Sequence, residues 1–145
     1  MKKNYEPSST ETEIYENWEK SDFFKAQPDE SKESFCIMIP PPNVTGTLHM
    51  GHVRNYVITD VIARLQRMRG DAVLHPMGWD SFGLPAENAA KENDLHPKKW
   101  TESNISTMKN QLKKMGLSLD WDREISTCDE DYYKHQQLFF LELYE

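Results

Sequence analysis

The chain has 145 residues, 37% hydrophobic and 28% charged, with a formal net charge of −7. That length suffices for one domain with its own core but is short for a ligase handling several substrates. The acidic balance argues against this segment alone gripping a polyphosphate backbone, and no apolar run reaches the roughly 18–20 residues that span a bilayer.

Residues 1–33 predict a surface helix followed by a connector. The start, Met1–Glu6, lacks the apolar stretch of a signal peptide. Thr10 and Glu13 have the spacing of a capping box, and Ile14, Trp18 and Phe23 or Phe24 supply an apolar stripe. The polar stretch 27–32, with its single proline, is the connector. Ser34–Ile39 is a short apolar run with aromatic and β-branched residues, expected as a buried strand. Pro40, Pro41 and Pro42 cannot continue a ladder, so the chain leaves the sheet there.

A long helix follows the loop 43–52. Val53, Val57, Val61 and Leu65, with Ile58, Ile62 and Met68, predict a broad apolar face, and Gly70 ends the helix. Ala72–Pro76 predicts a second strand, parallel to the first by the crossover rule. A loop rich in glycine, 78–85, leads into a short helix over 86–92. Ile105, Met108, Leu112 and Met115 form another helical stripe, closed by Gly116. A third helical pattern covers 129–145, with Tyr132, Tyr133, Phe139 and Leu143 expected in a core rather than, with His135, as a stacking platform for bases. It stops without cap or breaker, the pattern expected of a chain cut within a helix. Lys98-Lys99 and Lys113-Lys114 are expected as solvated faces.

Strand, loop, long helix, strand, loop, helix is a βαβ unit in an α/β fold. Ligands of such units bind beyond the carboxyl ends of the strands. Both loops, 40–52 and 78–87, lie there and face one crevice. Helix amino termini present free N–H groups and partial positive charge, which suits phosphate. His49 and His52, three apart, share one face of the opening turn. Gly51 between them leaves backbone against which a flat base can lie. A metal site there lacks a third protein ligand, two capping or packing histidines remain an alternative, and no metal is expected. Asp80 sits in the second loop, where a carboxylate is ordinarily solvated or caps a helix. Glu87 occupies the first turn of the next helix, where its charge suits the dipole. Cys36 and Cys128 have no metal-ligand spacing and read as reduced thiols of a cytoplasmic protein.

The stretch Pro42–His52, with its His49-Met50-Gly51-His52, resembles the His-Ile-Gly-His signature of class I aminoacyl-tRNA synthetases of the leucine/isoleucine/valine group. The resemblance implies a Rossmann-like nucleotide-binding fold of which 34–145 is the first half. It implies ATP, with Mg2+ as its substrate complex, bound through Thr45, Gly46, His49, Gly51 and His52, the two histidines being catalytic. It further implies that Pro41, Pro42, Asn43 and Asp80 bind the amino acid, Asp80 through its α-ammonium group. Leucine or valine, ATP and a cognate tRNA are the implied partners, the tRNA through regions outside this chain, and no membrane.

The residues divide on the amino acid. Residues 5–52 resemble valyl-tRNA synthetase, with Pro42-Asn43-Val44-Thr45-Gly46 where leucyl enzymes carry an aromatic wall. Residues 53–145 resemble leucyl-tRNA synthetase, through His75-Pro76-Met77-Gly78-Trp79-Asp80, Gly83–Ala90, Asp120-Trp121, Arg123-Glu124 and Thr127-Cys128. The larger share makes leucine the leading expectation and valine the alternative. A small nucleotidyltransferase with the same histidine loop, and a non-catalytic binding module derived from a synthetase, are further alternatives.

Overall fold

The computed structural model describes residues 5–145; the charged start, residues 1–4, lies outside the described residues. Among the described residues five helices and four strands follow in order: α1 (Pro7–Lys20), β1 (Ser34–Cys36), α2 (Met50–Arg69), β2 (Ala72–Leu74), β3 (Pro76–Trp79), α3 (Leu84–Glu92), α4 (Pro97–Lys114), β4 (Asp120–Ser126) and α5 (Glu130–Tyr144). β1 pairs with β2 in parallel, Phe35 opposite Val73, and α2 is the crossover between them. β3 pairs with β4 in parallel, Trp79 opposite Ser126, with α3 and α4 as the crossover. An isolated parallel bridge between Asn43 and Asp80 prolongs the β1 side past the prolines and joins the two ladders. Residues 72–80 therefore run as one kinked line, with the β1 side along one edge and β4 along the other.

The expected βαβ unit is present, but the division of its second strand differs. Gly78 and Trp79 belong to β3 rather than to the following loop, and β4 has no counterpart in the sequence reading. Gly70 ends α2 in the left-handed conformation, φ 100°, which a residue without Cβ adopts freely.

The core gathers Tyr56 and Ala63 of α2, Met108 and Leu112 of α4, Val73, Met77 and Trp79 of the central line, and Leu117 and Leu119 before β4. Ile37, Ile39 and Val44 close it from the β1 side. The α2 face that meets the sheet is thus Tyr56, Asp60 and Ala63. The predicted apolar face lies elsewhere. Val57, Ile58, Val61, Ile62, Leu65 and Met68 are all exposed, Met68 at 85%. Periodicity finds an apolar stripe without saying what covers it, and Asp60 is tolerated inside because its carboxylate is saturated. It accepts from the Ser118 N–H and hydroxyl, both at 2.6 Å, and from Arg64 Nε at 2.7 Å.

α5 departs from expectation in the same way. Among the described residues none of its side chains is buried, and Phe139, Phe140 and Leu143 are 60% exposed or more. α1 begins at Pro7 with Glu6 as its cap and no side-chain cap bond, so Thr10 and Glu13 fall inside the helix instead of opening it. A proline at the first helical position needs no N–H partner and arrives with helical φ, which makes the box unnecessary. The buried residue of α1 is Tyr15, whose hydroxyl donates to Leu117 O at 3.0 Å and accepts from Trp121 Nε1 at 2.9 Å. Trp18 and Phe24 pack beside it under the Arg64 guanidinium, while Ile14 and Phe23 of the predicted stripe stay exposed.

Candidate active site

His49 is the cap of α2, and the two histidines lock each other. His49 Nδ1 accepts from Gly51 N–H at 3.0 Å, while His52 Nδ1 accepts from His49 N–H at 3.2 Å. The rings lie 3.9 Å apart between centroids. An imidazole nitrogen that accepts carries no proton, so in the neutral form each ring bears its hydrogen on Nε2. The capping reading and the donor reading are therefore compatible: the backbone occupies Nδ1 and leaves an Nε2–H donor on each ring. His52 is held below the usual histidine range by partial burial and then by the neighbouring His49, which keeps it neutral at pH 7. Its ring also rests 6.0 Å from that of Tyr56, whose hydroxyl donates to Pro40 O at 3.2 Å.

Gly51 has a different reason from the one its sequence context suggests. A Cβ there would stand 2.8 Å from His49 Cε1 and 3.0 Å from His49 Nδ1. The space above its backbone is occupied by the capping imidazole, so the glycine serves the cap.

The second loop meets the first through backbone. Asp80 N–H donates to Pro42 O and Val44 N–H donates to Asp80 O, both at 3.0 Å. Pro42 and Val44 are buried by this contact, while Pro41, Asn43, Thr45 and Asp80 are exposed. Among the described residues the Asp80 carboxylate accepts no hydrogen bond, so it caps no helix and faces outward. Gly46 has open space where a Cβ would sit. Leu48 N–H donates to Gln111 Oε1 at 3.2 Å, tying the histidine loop to α4. Glu87 lies exposed in the first turn of α3.

All these residues thus fall along one edge at the carboxyl ends of the strands, as an open surface rather than an enclosed cavity. A cavity of about 400 Å3 opens at the opposite ends, between Lys25, Lys32, Arg67 and Val73. Among the described residues no group of three or more His, Cys, Asp or Glu side chains could hold a metal ion, and no helix is long and apolar enough to cross a membrane. Cys36 and Cys128 are free thiols.

Sequence reasoning missed the supports behind Asp80. Trp79 Nε1–H donates to Glu124 Oε1 at 2.7 Å, and Glu124 is ion-paired with Lys109. Ser81 and Thr127 are joined across the end of β4, the Ser81 N–H donating to Thr127 Oγ1 at 2.9 Å. Of these, Trp79, Glu124 and Thr127 appeared in the sequence only as parts of a resemblance.

Parallel βαβ units with paired histidines capping the first crossover helix define an α/β fold whose histidine cap lies beyond the carboxyl ends of its strands. Comparison with known proteins makes this specific. The tRNA synthetases class I (I, L, M and V) family matches residues 13–145, and the chain belongs to that family. It is 55% identical over 145 residues to the leucine--tRNA ligase of Geotalea uraniireducens, covering 100% of this chain and 18% of that protein. It is 57% identical over 142 residues to that of Prochlorococcus marinus, covering 97% and 16%. The crystal structure of the ternary complex of Agrobacterium radiobacter K84 agnB2 LeuRS-tRNA-LeuAMS matches with a TM-score of 0.91 and 42% identity, over 97% of this chain and 18% of that one. The chain thus spans less than a fifth of the length of these relatives. Leucine ligases align on both sides of position 52, so the valyl-like appearance of residues 5–52 brings no valine enzyme among these relatives.

Proposed function

We propose that this chain carries the amino-terminal half-site of a leucine--tRNA ligase, which activates leucine with ATP and passes it to tRNA(Leu). The observation that carries the reading is the Asn43–Asp80 bridge, which sets an outward-facing carboxylate beside the loop that ends in the histidine cap. In this reading ATP, with its Mg2+, lies over Thr45, Gly46 and Gly51, and the Nε2–H groups of His49 and His52 donate to its phosphate oxygens. Asp80 holds the leucine ammonium, for which a fixed carboxylate is the complementary partner, and Pro41, Pro42 and Asn43 wall the amino acid. The leucine carboxylate oxygen bonds to the α-phosphorus as the bond to the bridging oxygen breaks, and pyrophosphate leaves with that electron pair. Charge grows on phosphate oxygens during this displacement, and preset donors lower its barrier. The identity to leucine--tRNA ligases across the whole chain supports leucine over valine. We place the protein in the cytoplasm, in keeping with its two free thiols. Residues 1–33 are proposed as a peripheral helix and connector, and 34–145 as the catalytic portion proper.

The test is amino-acid-dependent ATP–pyrophosphate exchange with leucine and valine side by side. Exchange with leucine at the higher kcat/KM is expected; an equal or higher value with valine overturns the leucine assignment. ATP binding without exchange for either amino acid favours the alternative of a non-catalytic module. His49→Ala and His52→Ala are each expected to lower exchange by roughly 10²–10³, and wild-type exchange in either variant removes that histidine from the mechanism.

A further inference from the structure

We propose that Thr127 is a positioning residue for Asp80, fixing the place from which its carboxylate is presented through the backbone on both sides; this rests on the ammonium-binding reading of Asp80 given above. The backbone of Asp80 is fully used by the proline loop, its N–H on Pro42 O and its carbonyl on Val44 N–H. The flanking peptide groups turn to the opposite edge, and both meet one hydroxyl. Thr127 Oγ1–H donates to Trp79 O at 3.2 Å and Thr127 Oγ1 accepts from Ser81 N–H at 2.9 Å. The Thr127 N–H adds a second bond to Trp79 O at 3.1 Å. One side chain therefore acts as donor to the residue before Asp80 and acceptor from the residue after it. A hydroxyl does both at once; a methyl group does neither.

The rest of β4 reinforces that grip. The Ser81 hydroxyl, on a residue 4% exposed, lies 2.6 Å from Ser126 Oγ and accepts from Cys128 N–H at 3.3 Å. The Trp79 side chain, 1% exposed, is held by Glu124. Asp80, in contrast, is exposed and its carboxylate has no partner among the described residues. With no partner on that carboxylate among the described residues, the backbone decides where its Cβ stands and so the region the carboxylate can reach, and the two adjoining peptides decide the path of that backbone. A charged contact to a ligand is steep in angle and distance, so a small rotation there is felt in binding.

The experiment uses the 145-residue chain and three probes: leucine, 4-methylpentanoate (the same carbon skeleton without the ammonium group) and ATP. Thr127→Val is expected to weaken leucine about tenfold, with 4-methylpentanoate and ATP unchanged, and Thr127→Ser to restore the wild-type preference. Amide protection across β1 and β2 checks that each variant is folded. A folded Thr127→Val variant that keeps the wild-type ratio of leucine to 4-methylpentanoate affinity overturns the proposal alone. A wild-type chain with no preference for leucine over 4-methylpentanoate overturns the Asp80 reading and this proposal with it.

Discussion

Gly51→Ala separates what the histidine cap does for folding from what it does for chemistry. Position 51 is the second residue of α2, and the new Cβ would lie 2.8 Å from His49 Cε1. The imidazole is the movable partner, so it swings away and gives up its bond from Gly51 N–H. Losing a side-chain cap costs about 1 kcal/mol. Replacing glycine by alanine in a helix returns about 0.5–1 kcal/mol. The two nearly cancel, so the unfolding free energy is expected to stay within about 0.5 kcal/mol of wild type. The chemistry has no such compensation: the Nε2–H of His49 leaves its place, and a lost donor of that kind costs roughly 10²–10³ in rate. Urea unfolding, ATP–pyrophosphate exchange and the imidazole NMR signals of His49 follow the three quantities in one variant. An unmoved His49 signal together with wild-type exchange refutes the argument. A loss of more than about 2 kcal/mol in stability also refutes it, because the backbone rather than the ring has then yielded.

Three further outcomes follow from groups away from the cap. Asp60→Ala strips the acceptor from Ser118 and Arg64 in a buried setting and is expected to cost about 3–5 kcal/mol in urea unfolding; a loss under about 1 kcal/mol means water reaches those donors. Burial pushes the phenols of Tyr15 and Tyr56 up to about 12 from 10.0. Their stabilisation is complete below pH 10 and is lost as pH rises toward 12, because the unfolded chain ionises first. Urea midpoints should fall across that window, and should fall less in a Tyr15→Phe, Tyr56→Phe double variant. His75, 1% exposed, is held below the usual histidine range chiefly by burial, with Asp60 opposing. Its contribution to stability is present above pH 6.5 and lost as pH falls through its lower native value. An NMR titration of His75 with a midpoint above 6.5 contradicts this.

The parts of the fold that were legible carried local signals strong enough to stand alone. Gly70 had to end α2, and the position of both loops beyond strand ends followed from the βαβ order, although β1 stops at Cys36, short of the Ile39 expected from the prolines. β4 escaped because Asp120–Ser126 reads as polar: it buries Asp120, held by Arg123 and by the Ala26 N–H, rather than an apolar row. The buried side of α2 escaped for the same reason. Asp60 marks the inward stripe, and a carboxylate counts as surface until Ser118, far along the chain, satisfies it. The apolar faces of α2 and α5 were legible as stripes, but a stripe states only what is apolar, not what lies against it. At the site, the pairing of His49 with His52 was visible from spacing, and the reciprocal use of their Nδ1 atoms was not. The pin at Thr127 needed the register of β4 against β3, which no local pattern encodes.

The two backbone bonds between Asp80 and the proline loop have a kinetic meaning under the proposed function. Reactions between two bound molecules are slowed mostly by the freedom each must give up on the way to contact, and a frame that fixes their separation can be worth several orders of magnitude in effective concentration. Here the carboxylate assigned to the amino ammonium is stitched by peptide hydrogen bonds, not by flexible side chains, to the proline loop, which walls the amino acid and runs on directly into the Thr45 and Gly46 assigned to the nucleotide. Their spacing is settled when the chain folds, before either ligand arrives. Leucine and ATP would then meet across a distance set by a β-bridge, with little left to order in the protein at the moment of reaction.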